Sequence, residues 1–194
     1  MRILIIYLLL CVGLAGCANC VTTARNAAVL LSMDDGTCSG TKIGPHAILT
    51  AEHCLSGTQH LSVDNVPVEV LGVTLDGHDH AIVRVTATFG QWARVDPYVY
   101  QGQEIFNLGN PGELRDMFRH GWVAGEQVID GKLIYLLDFN GFFGDSGSAI
   151  FDDQGEVIAV TSEFYRQTAP GGWMKIMAAF PLAFSSKQLE TAAR

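Results

Sequence analysis

Apolar residues along this chain fall into short runs broken by turn-forming residues, a pattern that predicts strands. Ala28–Met33 runs into Asp34-Asp35-Gly36, and Ser39–Ile43 and His46–Thr50 are joined across Gly44-Pro45. The valine-rich stretch Val66–Leu75 stops at Asp76-Gly77, and Ala81–Val85 alternates. The pattern then loosens as far as Tyr100. A second group follows: Glu104–Leu108, Phe118–Ala124, Leu133–Leu137, Ser148–Phe151, Val157–Thr161 and Trp173–Phe180. Gly109-Asn110-Pro111-Gly112, Asp130-Gly131 and Asp153-Gln154-Gly155 supply turns between them. Only Ser185–Ala193 reads as a helix. No helical runs alternate with the strands, which argues against a parallel α/β sheet. The expected class is all-β, with two clusters of strands and a short C-terminal helix.

Composition narrows the possibilities. Hydrophobic residues make up 48% of the 194 positions, enough to build a core rather than a disordered chain. The net charge is −8, with 12 basic against 20 acidic residues, and no basic cluster stands out. A nucleic-acid binder needs a basic surface to displace counterions, so that class is set aside. Met1-Arg2 followed by the apolar run Ile3–Leu14 fits an export signal and is too short for an ordinary membrane span. Leu14-Ala15-Gly16-Cys17 resembles the bacterial lipoprotein cleavage box. That resemblance implies a signal peptide over 1–16 and a lipid-modified Cys17 tethering the chain to the outer side of a membrane. Plain secretory cleavage nearby is the alternative. In both cases the mature chain is expected outside a bacterial cytoplasm. Residues 17–26 are expected to form a tether carrying Cys20 as a thiol.

Cys38 and Cys54 lie 16 positions apart, and a disulfide between them suits an oxidising compartment. It would pin the backbone next to His53. That histidine, in Leu49-Thr50-Ala51-Glu52-His53-Cys54, is the first of three candidate catalytic groups. Asp79 opens Asp-His-Ala-Ile-Val-Arg-Val at a strand start, where a carboxylate can enter the interior and orient an imidazole. Asp76 is its rival, but it sits in a turn with Gly77 and is expected to face water. The third candidate is Ser146 in Gly144-Asp145-Ser146-Gly147, whose glycines permit a sharp turn and close approach. The amides of Gly144 and Ser146 could point at one spot and form an oxyanion hole. His78 and His80 bracket Asp79, but no third ligand converges there, so no metal is expected. No cofactor is expected either.

The three motifs in the order His, Asp, Ser resemble the trypsin-like (chymotrypsin-fold) serine proteases over about Ala27 to Phe184. Asn107-Leu108-Gly109-Asn110-Pro111 and Gly121-Trp122-Val123 look like the compact bacterial branch of that family. The resemblance implies a protease domain over 27–194, built as two antiparallel β-barrels, about 27–95 and 96–184, with the active site between them. It makes His53 the general base, Asp79 its orienter, Ser146 the nucleophile, and Gly144 and Ser146 the oxyanion donors. Val160-Thr161-Ser162 matches the strand that pairs with the substrate backbone, and Asn140 matches the base of the specificity pocket. The implied activity is endopeptidase cleavage of a protein or peptide through an acyl-enzyme. A non-catalytic binding module of the same fold and an esterase are the rival readings.

Three departures qualify the resemblance. No Ile/Val-Val-Gly-Gly segment occurs near residue 25, so Asp145 is expected to find a partner other than a freed N-terminal amine. Asn140 is not acidic, which speaks against strong preference for Arg or Lys. The chain ends soon after the second strand cluster, so no peptide-binding PDZ module is expected.

Overall fold

The computed structural model describes residues 19–194, except 130, 170 and 171. The export signal, the Leu14–Cys17 box and the lipidation site at Cys17 lie outside the described residues. Among those described, no helix is long and apolar enough to cross a membrane.

The first lobe is built from β1 (Ala28–Met33), β2 (Gly36–Gly44), β3 (Ala47–Ala51), β4 (Leu61–Val63), β5 (Val66–Val68), β6 (Val70–Leu75) and β7 (His80–Val85). They form one sheet in the order β5-β4-β1-β2-β3-β7-β6, every pairing antiparallel. The sheet does not close on itself, so β5 and β6 are its end strands. The second lobe comprises β8 (Glu104–Gly109), β9 (Met117–Ile129), β10 (Lys132–Leu137), β11 (Ala149–Phe151), β12 (Val157–Ala169) and β13 (Gly172–Pro181). These close into a six-stranded barrel, β10-β13-β12-β11-β8-β9. The all-β architecture of two antiparallel lobes is therefore as expected, with a half-barrel for the first and a closed barrel for the second.

Each lobe has its own core. Leu31, Ile48 and Val83 are fully buried in the first, and Ile105, Leu137 and Ile150 in the second. A third apolar cluster lies between the lobes, where Leu49 meets Leu108, Phe151 and Val160. Burial of such a shared face, at about 25 cal/mol per Å², is what holds two lobes as one body. Two helices seal the same cluster. Residues 19–27 form the first, α1, which buries Ala24 and Ala27. The tether expected over 17–26 is thus, from residue 19 onward, a packed helix. Its small apolar residues Val21, Ala24 and Ala27 recur every third position, a helical spacing that bulkier residues would have made conspicuous. The second helix, α2 (Ser186–Ala192), starts at Ser185 with a capping box to Gln188 and buries Ala192. Gly44 admits it: a side chain there would strike the Ala192 carbonyl.

Candidate active site

Strand β3 is buried at all five positions and delivers the chain into a short 3-10 turn, Glu52–Leu55, that carries His53. The turn is held from two sides. Cys54 is disulfide-bonded to Cys38 on β2, with Cα atoms 6.2 Å apart. A closed loop of this length stabilises the fold by about 3 kcal/mol on the chain-entropy model. From the other side Asp79 clasps the turn. Its Oδ2 lies 2.8 Å from His53 Nδ1, its Oδ1 accepts the His53 amide at 3.0 Å, and its carbonyl accepts the Glu52 amide at 2.8 Å. With Nδ1 donating to the carboxylate, Nε2 is left with its lone pair outward, the arrangement a general base requires.

Hydrogen bonding to Asp79 raises the His53 pKa above the usual histidine range. Partial burial opposes that rise, and the charges of Asp79 and Glu163 add to it. Asp79 itself has φ +67°, an αL conformation uncommon outside glycine but open to aspartate. A cleft of about 510 Å³ opens beside the pair, lined by His53, Asp79, Leu55, Val73 and Leu75. Another cleft, about 540 Å³, lies between α1 and the 90–92 segment, and no titratable side chain lines it.

Ser146 belongs to the second lobe, yet its turn is docked on the first. The Ser146 carbonyl accepts the Ser39 amide at 2.8 Å, and the Ser39 hydroxyl donates to the Gly144 carbonyl at 2.8 Å. The Ser39 hydroxyl in turn accepts the Asn110 amide at 2.8 Å. Gly147, at φ +83°, lies so close to Ser39 and Thr50 that a Cβ there would collide with both. That close approach, two strand residues from the His53 turn, is the reason for glycine after the serine. The disulfide lies between the two halves. A His53 ring nitrogen is within 4.8 Å of both sulfurs, and Cys54 Sγ contacts the Ser146 carbonyl at 3.8 Å. Since the two sulfurs are bonded to each other, this His–Cys–Cys grouping is not a metal-ligand set. Among the described residues, no hydrogen bond joins the Ser146 hydroxyl to His53.

Gly144 has φ +99°, and a side chain there would press on the Asn110 carbonyl. The Phe143 carbonyl accepts the Gly112 amide at 2.8 Å. In a trans peptide the N–H points opposite to the C=O, so the Gly144 N–H is aimed away from Gly112. Among the described residues, neither the Gly144 nor the Ser146 amide is engaged in a hydrogen bond, leaving both as donors.

The partner that Asp145 was expected to find is Arg119 on β9. Its guanidinium makes a two-pronged contact, Nη1 to Oδ1 at 3.1 Å and Nη2 to Oδ2 at 3.0 Å, with the carboxylate wholly buried. Arg119 also donates to Asn107 Oδ1 at 3.1 Å, and the Phe142 amide donates to Asp145 Oδ2 at 2.7 Å. Arg119 and Asn107 were not anticipated as site residues. The available signal was that no Ile/Val-Val-Gly-Gly segment occurs near residue 25, which left the aspartate in need of another partner.

One further expectation meets the structure differently. Asp76 does not face water: its side chain is fully buried against the equally buried His80, Oδ2 to Nδ1 at 2.7 Å. Thr161 gives its main-chain groups to the nucleophile turn, accepting from Gly147 at 2.8 Å and donating to the Ser148 carbonyl at 2.9 Å. It thereby supports the turn. Ser162, one residue on, sits at a register shift between β12 and β13 and is buried, and Asn140 is exposed.

A family model described as a trypsin-like peptidase domain matches residues 38–160, so the chain belongs to the trypsin-like peptidase family. Solved structures share the fold. The Rv3671c protease of M. tuberculosis, in an inactive form, aligns with TM-score 0.67 at 17% identity, over 90% of this chain and 93% of that one. The HtrA-type protease AlgW with a decapeptide gives TM-score 0.71 at 16% identity, over 90% of this chain and 66% of that one. A serine endoprotease from Yersinia pestis gives 0.68 at 20% identity, over 89% and 65%. No curated protein sequence matches the chain.

Proposed function

We propose that this chain is a serine endopeptidase in which Ser146, His53 and Asp79 form the catalytic triad. The observation that carries the reading is the 2.8 Å His53–Asp79 contact on the disulfide-pinned platform that also receives the Gly144–Gly147 turn. Ser146 Oγ attacks the scissile carbonyl carbon while His53 Nε2 takes the hydroxyl proton, and Asp79 stabilises the imidazolium. The Gly144 and Ser146 amides receive the oxyanion, each donor worth about 3–4 kcal/mol in the transition state. His53 then returns the proton to the departing amine, and water hydrolyses the acyl-enzyme by the same proton path. Contacts between nucleophile and base are often long before substrate binds and tighten in the complex, which accommodates the open Ser146–His53 geometry.

The export and anchoring of the mature chain through lipid on Cys17 are part of the same proposal, supported by the apolar leader and the box that follows it. The substrate is a protein or peptide outside the cytoplasm. Hydrolysis of unfolded protein and of short esters, compared between the native chain and Ser146→Ala, tests the reaction. Loss of both activities in the variant is expected. Cleavage of esters alone by the native chain would make it an esterase, and cleavage of neither would make it a binding module of this fold.

A further inference from the structure

Next to the catalytic acid lies a second aspartate–histidine pair that the reaction does not use. Asp76 and His80 flank the turn bearing Asp79, and both side chains are fully buried. Asp76 gathers four donors: His80 Nδ1 at 2.7 Å, the His78 amide at 2.8 Å, the His80 amide at 3.3 Å and the Ala183 amide at 2.9 Å. The first three close the turn on itself, with Asp79 held at its positive φ between them. The fourth comes from the segment after β13, in the second lobe. Two more contacts cross the same boundary: His80 Nε2 to Ser162 Oγ at 3.4 Å, and His78 Nδ1 to the Pro181 carbonyl at 3.3 Å. The turn that presents Asp79 to His53 is thereby fastened to the lobe that carries Ser146.

We infer that Asp76 and His80 are positioning residues, forming with Ser162 and Ala183 a buried clasp that fixes Asp79 and registers the His53 half of the site against the Ser146 half. The inference rests on the proposed triad for its consequence in catalysis, though the clasp is a geometric feature independent of turnover. A fully buried imidazole at the first position of a strand is costly unless both ring nitrogens are engaged. Here one meets a carboxylate and the other a hydroxyl across the lobe boundary. The Asp76 carboxyl reflects the engagement: burial works against its charge, but His80, Ala183 and His78 together hold its pKa below the usual carboxylate range. Acid–base geometry in a triad is sensitive at the ångström level, and a misplacement of about 1 Å remote from the chemistry can lower rates by about a hundredfold.

The test uses the full chain with His80→Leu, His80→Asn and Ser162→Ala, reading kcat and KM for peptide hydrolysis and the titration of His53 by NMR. The charged groups facing His53 are Asp79 from the clasp turn and Glu163 from β12, with Glu52 beside it in the same cleft. Asp76 is the group facing His80. Removing His80 is expected to lower kcat by about tenfold to a hundredfold with KM little changed. It is also expected to move the His53 midpoint down, as Asp79 loosens. Asn, which keeps a donor toward Asp76, should recover part of both effects, and Ser162→Ala should show a smaller loss of the same kind. Unchanged His53 titration and kcat in folded His80→Leu would overturn the inference. If that variant does not fold, Ser162→Ala decides by the same criteria. A native chain that hydrolyses nothing would refute the protease reading, while the His53 titration would still judge the clasp.

Discussion

The guanidinium of Arg119 faces the buried carboxylate of Asp145 with both prongs, at 3.0 and 3.1 Å, one residue before the candidate nucleophile. The pair ties β9 to the Gly144–Gly147 turn, and the Phe142 amide also donates to the carboxylate. In digestive trypsin-like enzymes, the resemblance implies, the corresponding aspartate waits for an amine freed by cleavage. Here the cation is already in the barrel, so the turn can be shaped without proteolytic activation.

Truncating Arg119 to Met should therefore be severe. Leaving a buried carboxylate without its cation costs about 3–5 kcal/mol. Lysine keeps the charge but loses the fork, so Arg119→Lys should fall between native and Arg119→Met. Urea unfolding and peptidase rate measured on the same samples check this. Activity surviving in Arg119→Met would mean that something else shapes the turn.

The pH dependence has a definite sign. The His53 pKa is raised, chiefly by its hydrogen bond to Asp79. Protonation of the ring thus favours the folded state: this contribution is fully present below the ordinary value of about 6.5 and is lost as pH rises through the raised folded value. Catalysis needs the neutral ring, so kcat/KM should climb through that same window, with a midpoint above about 6.5. Glu163→Gln should lower the midpoint, since the Glu163 charge contributes to the rise. A pH–rate profile of both proteins measures it, and a midpoint at or below the ordinary value would contradict the geometry.

The disulfide ought to matter more to the site than its stabilisation suggests. Replacing Cys38 and Cys54 by Ala should cost about 3 kcal/mol in unfolding free energy. Because the bridge lies between the His53 ring and the Ser146 carbonyl, the replacement should also reduce kcat in molecules that remain folded. Denaturant unfolding with activity measured below the transition separates the two effects.

Much of this was readable from residues alone. The strands whose apolar residues alternate or run together, such as Ala28–Met33, Ala81–Val85 and Leu133–Leu137, lie within a residue or two of where the pattern places them. The Cys38–Cys54 disulfide is present, and His53 lies in hydrogen-bond contact with Asp79. What the pattern hid was structure held by partners rather than by periodicity. Strand β4 has three residues and exists through its pairing with β1 and β5. The continuation of β12 past Thr161 is polar in sequence and is specified by its hairpin with β13. Helix α1 presents alanines to the core, a weak hydrophobic signal. Asp76 looked like a turn residue bound for water because its buried partners, His80 and Ala183, are brought in by the chain's own turn and by the opposite lobe. Local sequence shows His80 four residues on but carries no trace of the distant Ala183 amide that helps bury the carboxylate.

The most direct measurement is covalent labelling of the full chain with a fluorophosphonate, followed by peptide mapping. One phosphonyl group on Ser146, absent from Ser146→Ala and slowed in His53→Ala, is the predicted result. An unlabelled Ser146 in a folded chain, or equal labelling in all three proteins, would contradict an activated serine at this site.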